Sequence, residues 1–181
     1  GMANAGTPVL VHEKGIAEDA FKYQFRVPVV SAKSYLAADL KNNFVFLRKN
    51  EKERLPIASL TKLVTAMVAM EYVNLDDEIT ITEAMIASTS RPRFVPGEDV
   101  SAFQLLFPLL MESSNEAAAG FAEMLGLTRF VSLMNGKAES LGMESTQFVD
   151  ASGSGAENIS TAEDLFTLAQ NIYDNRSIIL S

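Results

Sequence analysis

Ser59 and Lys62 are the two residues whose types and spacing best fit covalent chemistry. A serine hydroxyl is a weak nucleophile until a base takes its proton, and a lysine serves as that base only when desolvation or a nearby cation lowers its pKa toward neutrality. In Ser59-Leu60-Thr61-Lys62 the two stand at i and i+3, which on a helix share one face about 5 to 6 Å apart at Cβ. The residues that follow are apolar on more than one face. Lys62, in the first turn of such a helix, is therefore expected to be buried, with its neutral form favoured by desolvation and by the positive helix terminus. The 16 serines and 8 lysines in 181 residues supply about 0.7 such pairs by chance. On spacing alone the plainer reading is the better one: Ser59 as a helix N-cap and Lys62 as a surface lysine with a snorkelling stem.

Other routes to catalysis lack their residues. His12 is the only histidine and there is no cysteine, so a Ser-His-Asp triad, a multi-histidine metal site and thiolate chemistry are all excluded. No metal and no cofactor is expected, and any base must be a lysine, a carboxylate or water. The net charge of −8 argues against a nucleic-acid partner. The longest apolar stretch, Leu60–Val73, is interrupted by Thr61, Lys62, Thr65 and Glu71 and falls short of a bilayer span.

A second polar group is Ser113-Ser114-Asn115, in which a hydroxyl can pass a proton and an amide offers both a donor and an acceptor to a peptide. Ser113 through Glu116 also reads as a capping box opening a helix, and the two readings are compatible. Arg91 and Arg93 are candidates for a substrate carboxylate, although loop arginines are usually solvated. Asp150 and Glu157 receive no role. The methionines at 67, 70, 111, 124 and 134 read as core filler.

These residues need elements to place them. Residues 1 to 28 are expected to be a flexible arm or to hold a short strand, with Phe21, Tyr23 and Phe25 alternating. Lys33–Leu40 and Asn43–Arg48, separated by Lys41-Asn42, predict a β-hairpin. Ser59–Val73 predicts a buried central helix, and Glu78–Thr82 a short strand. The loop around Arg91, Pro92, Arg93, Pro96 and Gly97 is expected to line a cleft. Helices are predicted over Ala102–Met111, kinked at Pro108, then over Asn115–Leu125 and Thr128–Leu141, with Gly126 and Gly142 as stops. The last begins near Ser160, where Ser160-Thr161-Ala162-Glu163 reads as a capping box.

The segment Pro56-Ile57-Ala58-Ser59-Leu60-Thr61-Lys62-Leu63 resembles the active-site segment of the low-molecular-mass penicillin-binding proteins, the serine D-alanyl-D-alanine carboxypeptidases and endopeptidases. The preceding hairpin, the Arg91–Glu98 loop, Leu109-Leu110-Met111 before Ser113-Ser114-Asn115, Ala117-Ala118-Ala119, Leu141–Val149 and Asn158–Leu165 resemble the same family in the same order, over residues 33–181. The resemblance implies an α+β penicillin-binding-protein or β-lactamase-like transpeptidase fold, present as its helical part with the N-terminal β-hairpin and without its C-terminal strands. Residues 29–181 are then part of a D,D-peptidase catalytic domain. The resemblance makes Ser59 the acylated nucleophile, Lys62 its base, Ser113 a proton relay and Asn115 a binder of the substrate amide. It implies peptidoglycan stem peptides as substrate, β-lactams as covalent inhibitors and an extracytoplasmic location, in the periplasm or at the cell surface. Gly1 before Met2 looks like a tag-cleavage scar, so a signal peptide is presumed removed.

Departures from the family pattern leave alternatives open. The family's third element, Lys-Thr-Gly on a later strand, has no counterpart here, since no lysine precedes a Thr-Gly or Ser-Gly. A sheet reduced to the hairpin would expose an edge, so a homodimer through that edge is expected. Ser154 stands where relatives usually place an apolar residue. One alternative is a catalytically silent homologue that binds peptidoglycan or protein. Another is a β-lactamase, which needs a further carboxylate to activate water; Glu157 lies in a loop, but nothing ties it to that role.

Overall fold

Helix α1 (Thr61–Tyr72) is apolar around most of its circumference, and such a helix is stable only when other elements enclose it. The computed structural model describes residues 9–10, 28–87, 89 and 91–175. Val64, Ala66, Val68 and Ala69 of α1 are fully buried, enclosed by α3 (Ala102–Met111), α4 (Asn115–Leu125) and α5 (Leu127–Ser140). These helices contribute Leu105, Leu109, Phe121, Phe130 and Met134 to the same core. A four-residue helix α2 (Glu83–Ile86) packs on α4, and α6 (Ala162–Asn175) packs on strand β2. No helix among the described residues is long and apolar enough to cross a membrane.

Strands β2 (Tyr35–Asp39) and β3 (Phe44–Lys49) form the expected hairpin, with a bulge between Ala37 and Ala38. Its turn is held by the Asp39 carboxylate, which accepts from the backbone N–H groups of Lys41 and Asn42. The outer edge of β3 carries a further strand, β1 (Val9–Leu10), antiparallel with Val9 opposite Arg48, so the order is β1-β3-β2, with β2 at the other edge. His12 and the Phe21-Tyr23-Phe25 alternation lie outside the described residues. Two smaller antiparallel pairs tie distant segments together. Strand β4 (Leu55–Pro56) pairs with β7 (Ile159–Ser160), and β5 (Glu78–Thr80) with β6 (Asp99–Ser101).

Hydroxyl caps open α3, α4 and α6, though not always at the residue the motif suggests. Ser101 and Gln104 cap α3 reciprocally. For α4 the cap is Ser114, which accepts from Ala117 N–H, and not Ser113. For α6 the Asp164 N–H donates to Thr161, while Ser160 shares a hydrogen bond with Thr146 instead. At the α4–α5 junction Gly126 adopts φ +83°, a region costly for a residue with a Cβ, and the two helices diverge by 101°. Met134 is buried and Met67, Met70 and Met124 are half-buried, but Met111 is 69% exposed and is not core filler.

The core and the surface of this helical layer should separate cleanly on truncation. Phe121→Ala, at a fully buried site, is expected to cost about 3 to 5 kcal/mol in denaturant unfolding, whereas Phe103→Ala, at a site 58% exposed, should cost under about 1 kcal/mol.

Candidate active site

Ser59 lies in a short 3-10 turn, Ala58–Leu60, that precedes α1; it is not inside the helix. Neither the turn nor α1 has a side-chain N-cap, so Ser59 does not act as a cap. Its side chain is free to face Lys62. The Lys62 side chain does not snorkel either: the residue is 3% exposed, and its Nζ donates to Ser59 Oγ at 3.3 Å and to the Ser152 carbonyl at 2.7 Å. Burial pushes the Lys62 amine below the ordinary lysine value, against an upward pull from the charge of Asp150. Ser59, Lys62 and Ser113 line one cavity of about 400 Å³, with Ile57, Leu63, Leu109 and Leu110 among its apolar walls.

Two left-handed residues flank this cavity. Ala58 has φ +47° and Ser113 φ +56°, each costing on the order of 1 to 2 kcal/mol in a residue with a Cβ. Surrounding contacts hold the nucleophile turn in place. Ile57 N–H donates to the Asn158 carbonyl, and β4 immediately before the turn is paired with β7. One turn into α1, Thr65 Oγ1 donates to the Ala151 carbonyl at 2.7 Å. Between these points Gly153, at φ +82°, lies directly against the turn; a Cβ there would come within 1.9 Å of the Ala58 carbonyl oxygen.

The other expected site residues lie elsewhere. Asn115 is the half-buried first residue of α4 and is not among the residues lining the cavity. The Arg91–Glu98 loop, expected to line the cleft, is held against α4 and contributes no residue to the lining. The buried Glu116 carboxylate accepts from the backbone N–H groups of Arg93 and Phe94, and the Arg93 guanidinium pairs with Glu112. Arg91 is exposed. Glu116 is therefore a loop anchor and not part of a capping box. Glu157 is exposed. Sequence reasoning missed Ser152 and Gly153: the first acts through a backbone carbonyl, which any residue possesses, and the second through the absence of a side chain. The one available signal was the pair of glycines in Ser152-Gly153-Ser154-Gly155.

Residues 22–179 match the family described as D-alanyl-D-alanine carboxypeptidase. The chain is 35% identical over 162 residues to a D-alanyl-D-alanine endopeptidase of Escherichia coli, covering 86% of this chain and 52% of that protein. Among solved structures, a D-alanyl-D-alanine carboxypeptidase from Mycobacterium tuberculosis superposes with a TM-score of 0.72 at 30% identity, covering 87% of this chain and 61% of that one. A penicillin-binding protein from Listeria monocytogenes in its cefotaxime-bound form gives 0.69 at 27% identity, covering 83% and 65%. The chain spans about half the length of the curated relatives it matches.

The contact of Gly153 with the Ser59 turn makes a sharp prediction. Gly153→Ala should lower stability by about 2 to 4 kcal/mol in denaturant unfolding, through overpacking against backbone together with the positive φ, whereas Gly136→Ala, on α5 with open space around it, should be neutral or slightly stabilising.

Proposed function

The chain belongs to the D-alanyl-D-alanine carboxypeptidase family, and from that premise we propose that it carries the nucleophile and base of a serine D,D-peptidase acting on peptidoglycan stem peptides. The carrying observation is a buried lysine amine 3.3 Å from an exposed serine hydroxyl, in a cavity shared with a second serine. In this reading Ser59 Oγ attacks the carbonyl carbon of a D-Ala residue and its proton passes to the neutral Lys62 amine. The amide C–N bond then breaks, and the proton held by Lys62 reaches the departing amine through the Ser113 hydroxyl. Water opens the resulting ester with Lys62 again accepting the proton, and Ser59 is restored.

The leaving amine is a terminal D-Ala in a carboxypeptidase and a cross-linking side chain in an endopeptidase; the similar proteins bear both names. In this reading Asn115, two residues past Ser113 at the start of α4, binds the substrate amide. β-Lactams would acylate Ser59 and stay attached. The reading also places the protein outside the cytoplasm, where peptidoglycan lies.

Covalent labelling by a fluorescent penicillin, followed by gel and mass analysis, tests this. Ser59→Ala should abolish the label, and Lys62→Ala should slow it by about 10²- to 10⁴-fold. Because burial depresses the Lys62 pKa and the neutral amine is the base, the labelling rate should rise with pH and level off below about 10.4, where an ordinary lysine deprotonates. Full labelling of folded Ser59→Ala would refute the nucleophile assignment.

A further inference from the structure

Resting on the reading of Ser59 and Lys62 as nucleophile and base, a further role falls to a residue the sequence left unassigned. Asp150 opens the loop that carries Ser152 and Gly153, and its carboxylate takes five hydrogen bonds. Oδ1 accepts from the Ser152 N–H at 2.7 Å, the Ser152 hydroxyl at 2.9 Å and the Gly153 N–H at 2.6 Å. Oδ2 accepts from the Gly155 N–H at 2.7 Å and from Asn158 Nδ2 at 2.8 Å. The loop is thus wound around one carboxylate. Two points leave it toward the cavity: the Ser152 carbonyl on Lys62 Nζ, and Gly153 on the Ala58 carbonyl.

The same group is also the charge that acts on the lysine. Burial pushes the Asp150 carboxyl up, but the donors from Gly155, Asn158, Gly153 and Ser152 outweigh it, so the group sits below its ordinary value and is ionised at neutral pH. Carboxylates on or beside the helices enclosing α1 are engaged elsewhere. Glu71, at the far end of α1, pairs with Lys137 of α5; Glu112, after α3, pairs with Arg93; and Glu116 of α4 holds the N–H groups of Arg93 and Phe94. Glu123 of α4 and Arg129 and Glu139 of α5 are exposed, and α3 itself has no charged residue.

We propose that Asp150 is the positioning residue of the Ser59–Lys62 pair: it winds residues 150–155 so that the Ser152 carbonyl and the Gly153 backbone fix the amine and the nucleophile turn. Asp150 itself touches neither reacting atom. Replacing it with a neutral group should therefore move Lys62 in a defined direction, because the pull that favours the ammonium form disappears while burial remains.

The test is a lysine ¹³Cε NMR titration of the full chain, with the Lys62 signal assigned by its loss in Lys62→Arg. Asp150→Asn, and Asp150→Ser alongside it in case the amide does not fold, should lower the Lys62 midpoint by about one pH unit. Glu157→Gln, which removes a charge of the same sign from an exposed position in the same loop, should leave the midpoint in place. In the penicillin assay the acidic limb of the rate profile should move down with it, and the plateau should fall by about tenfold or more as the amine loses its fixed position. A Lys62 midpoint that stays or rises in a folded Asp150 variant, or that Glu157→Gln moves equally, overturns the proposal. The titration does not need acylation: if penicillin labels nothing while the midpoint falls as stated, the nucleophile reading fails and the role of Asp150 toward Lys62 stands.

Discussion

The Lys62 amine sits in a nearly inaccessible side chain between the Ser59 hydroxyl and a carbonyl that comes from 90 residues later in the chain. An ammonium group with so little water is stable only when protein acceptors replace its hydration, and it surrenders a proton more readily than a solvated lysine does. The Ser152 carbonyl fixes where Nζ stands, and burial sets how easily it deprotonates. Neither condition exists until the loop following α5 closes on the first turns of α1. The cavity is thus a product of long-range docking, with Lys62 from α1, Ser59 from the turn before it and Ser113 from the α3–α4 junction, while the loop carrying Ser152 closes on the buried lysine.

That docking is polar, which explains why it is so specific. Asn158 is fully buried and completely engaged. Its Oδ1 accepts from Val149 and Asp150, its Nδ2 donates to Asp150 and the Gly155 carbonyl, and its own carbonyl receives Ile57. Asn135 of α5 grips Phe148 by both backbone groups, in the manner of a neighbouring strand. Leaving any of these groups buried and unpaired would cost about 1 to 3 kcal/mol, so only one arrangement of the loop satisfies them together. The same arrangement sustains the left-handed Ala58, whose carbonyl abuts Gly153.

Local motifs misassigned residues wherever two neighbours offered the same chemistry. Ser113 and Ser114 are equivalent as caps by type, as are Ser160 and Thr161. The backbone direction entering each helix selected Ser114 and Thr161, leaving Ser113 at the cavity and Ser160 on Thr146. Glu116 read as a capping-box partner, yet it turns away to hold the backbone of Arg93 and Phe94, and Arg93 in turn is engaged by Glu112. Of the two loop arginines, Arg93 pairs with Glu112 and Arg91 is exposed.

Much of this protein was nonetheless legible in its residues: the hairpin, the apolar helix that begins just after Ser59 and carries Lys62, and the three helices that enclose it. Those features depend on side-chain type and short-range periodicity, which the sequence displays directly. The burial of Lys62 was legible as well, but the carbonyl that holds its amine was not, nor were the parts played by Ser152, Gly153 and Asp150. A backbone carbonyl, a missing Cβ and a carboxylate wrapped by its own loop carry no distinguishing letter. Their function comes from distances between segments far apart in the chain, and only the packed tertiary structure determines those distances.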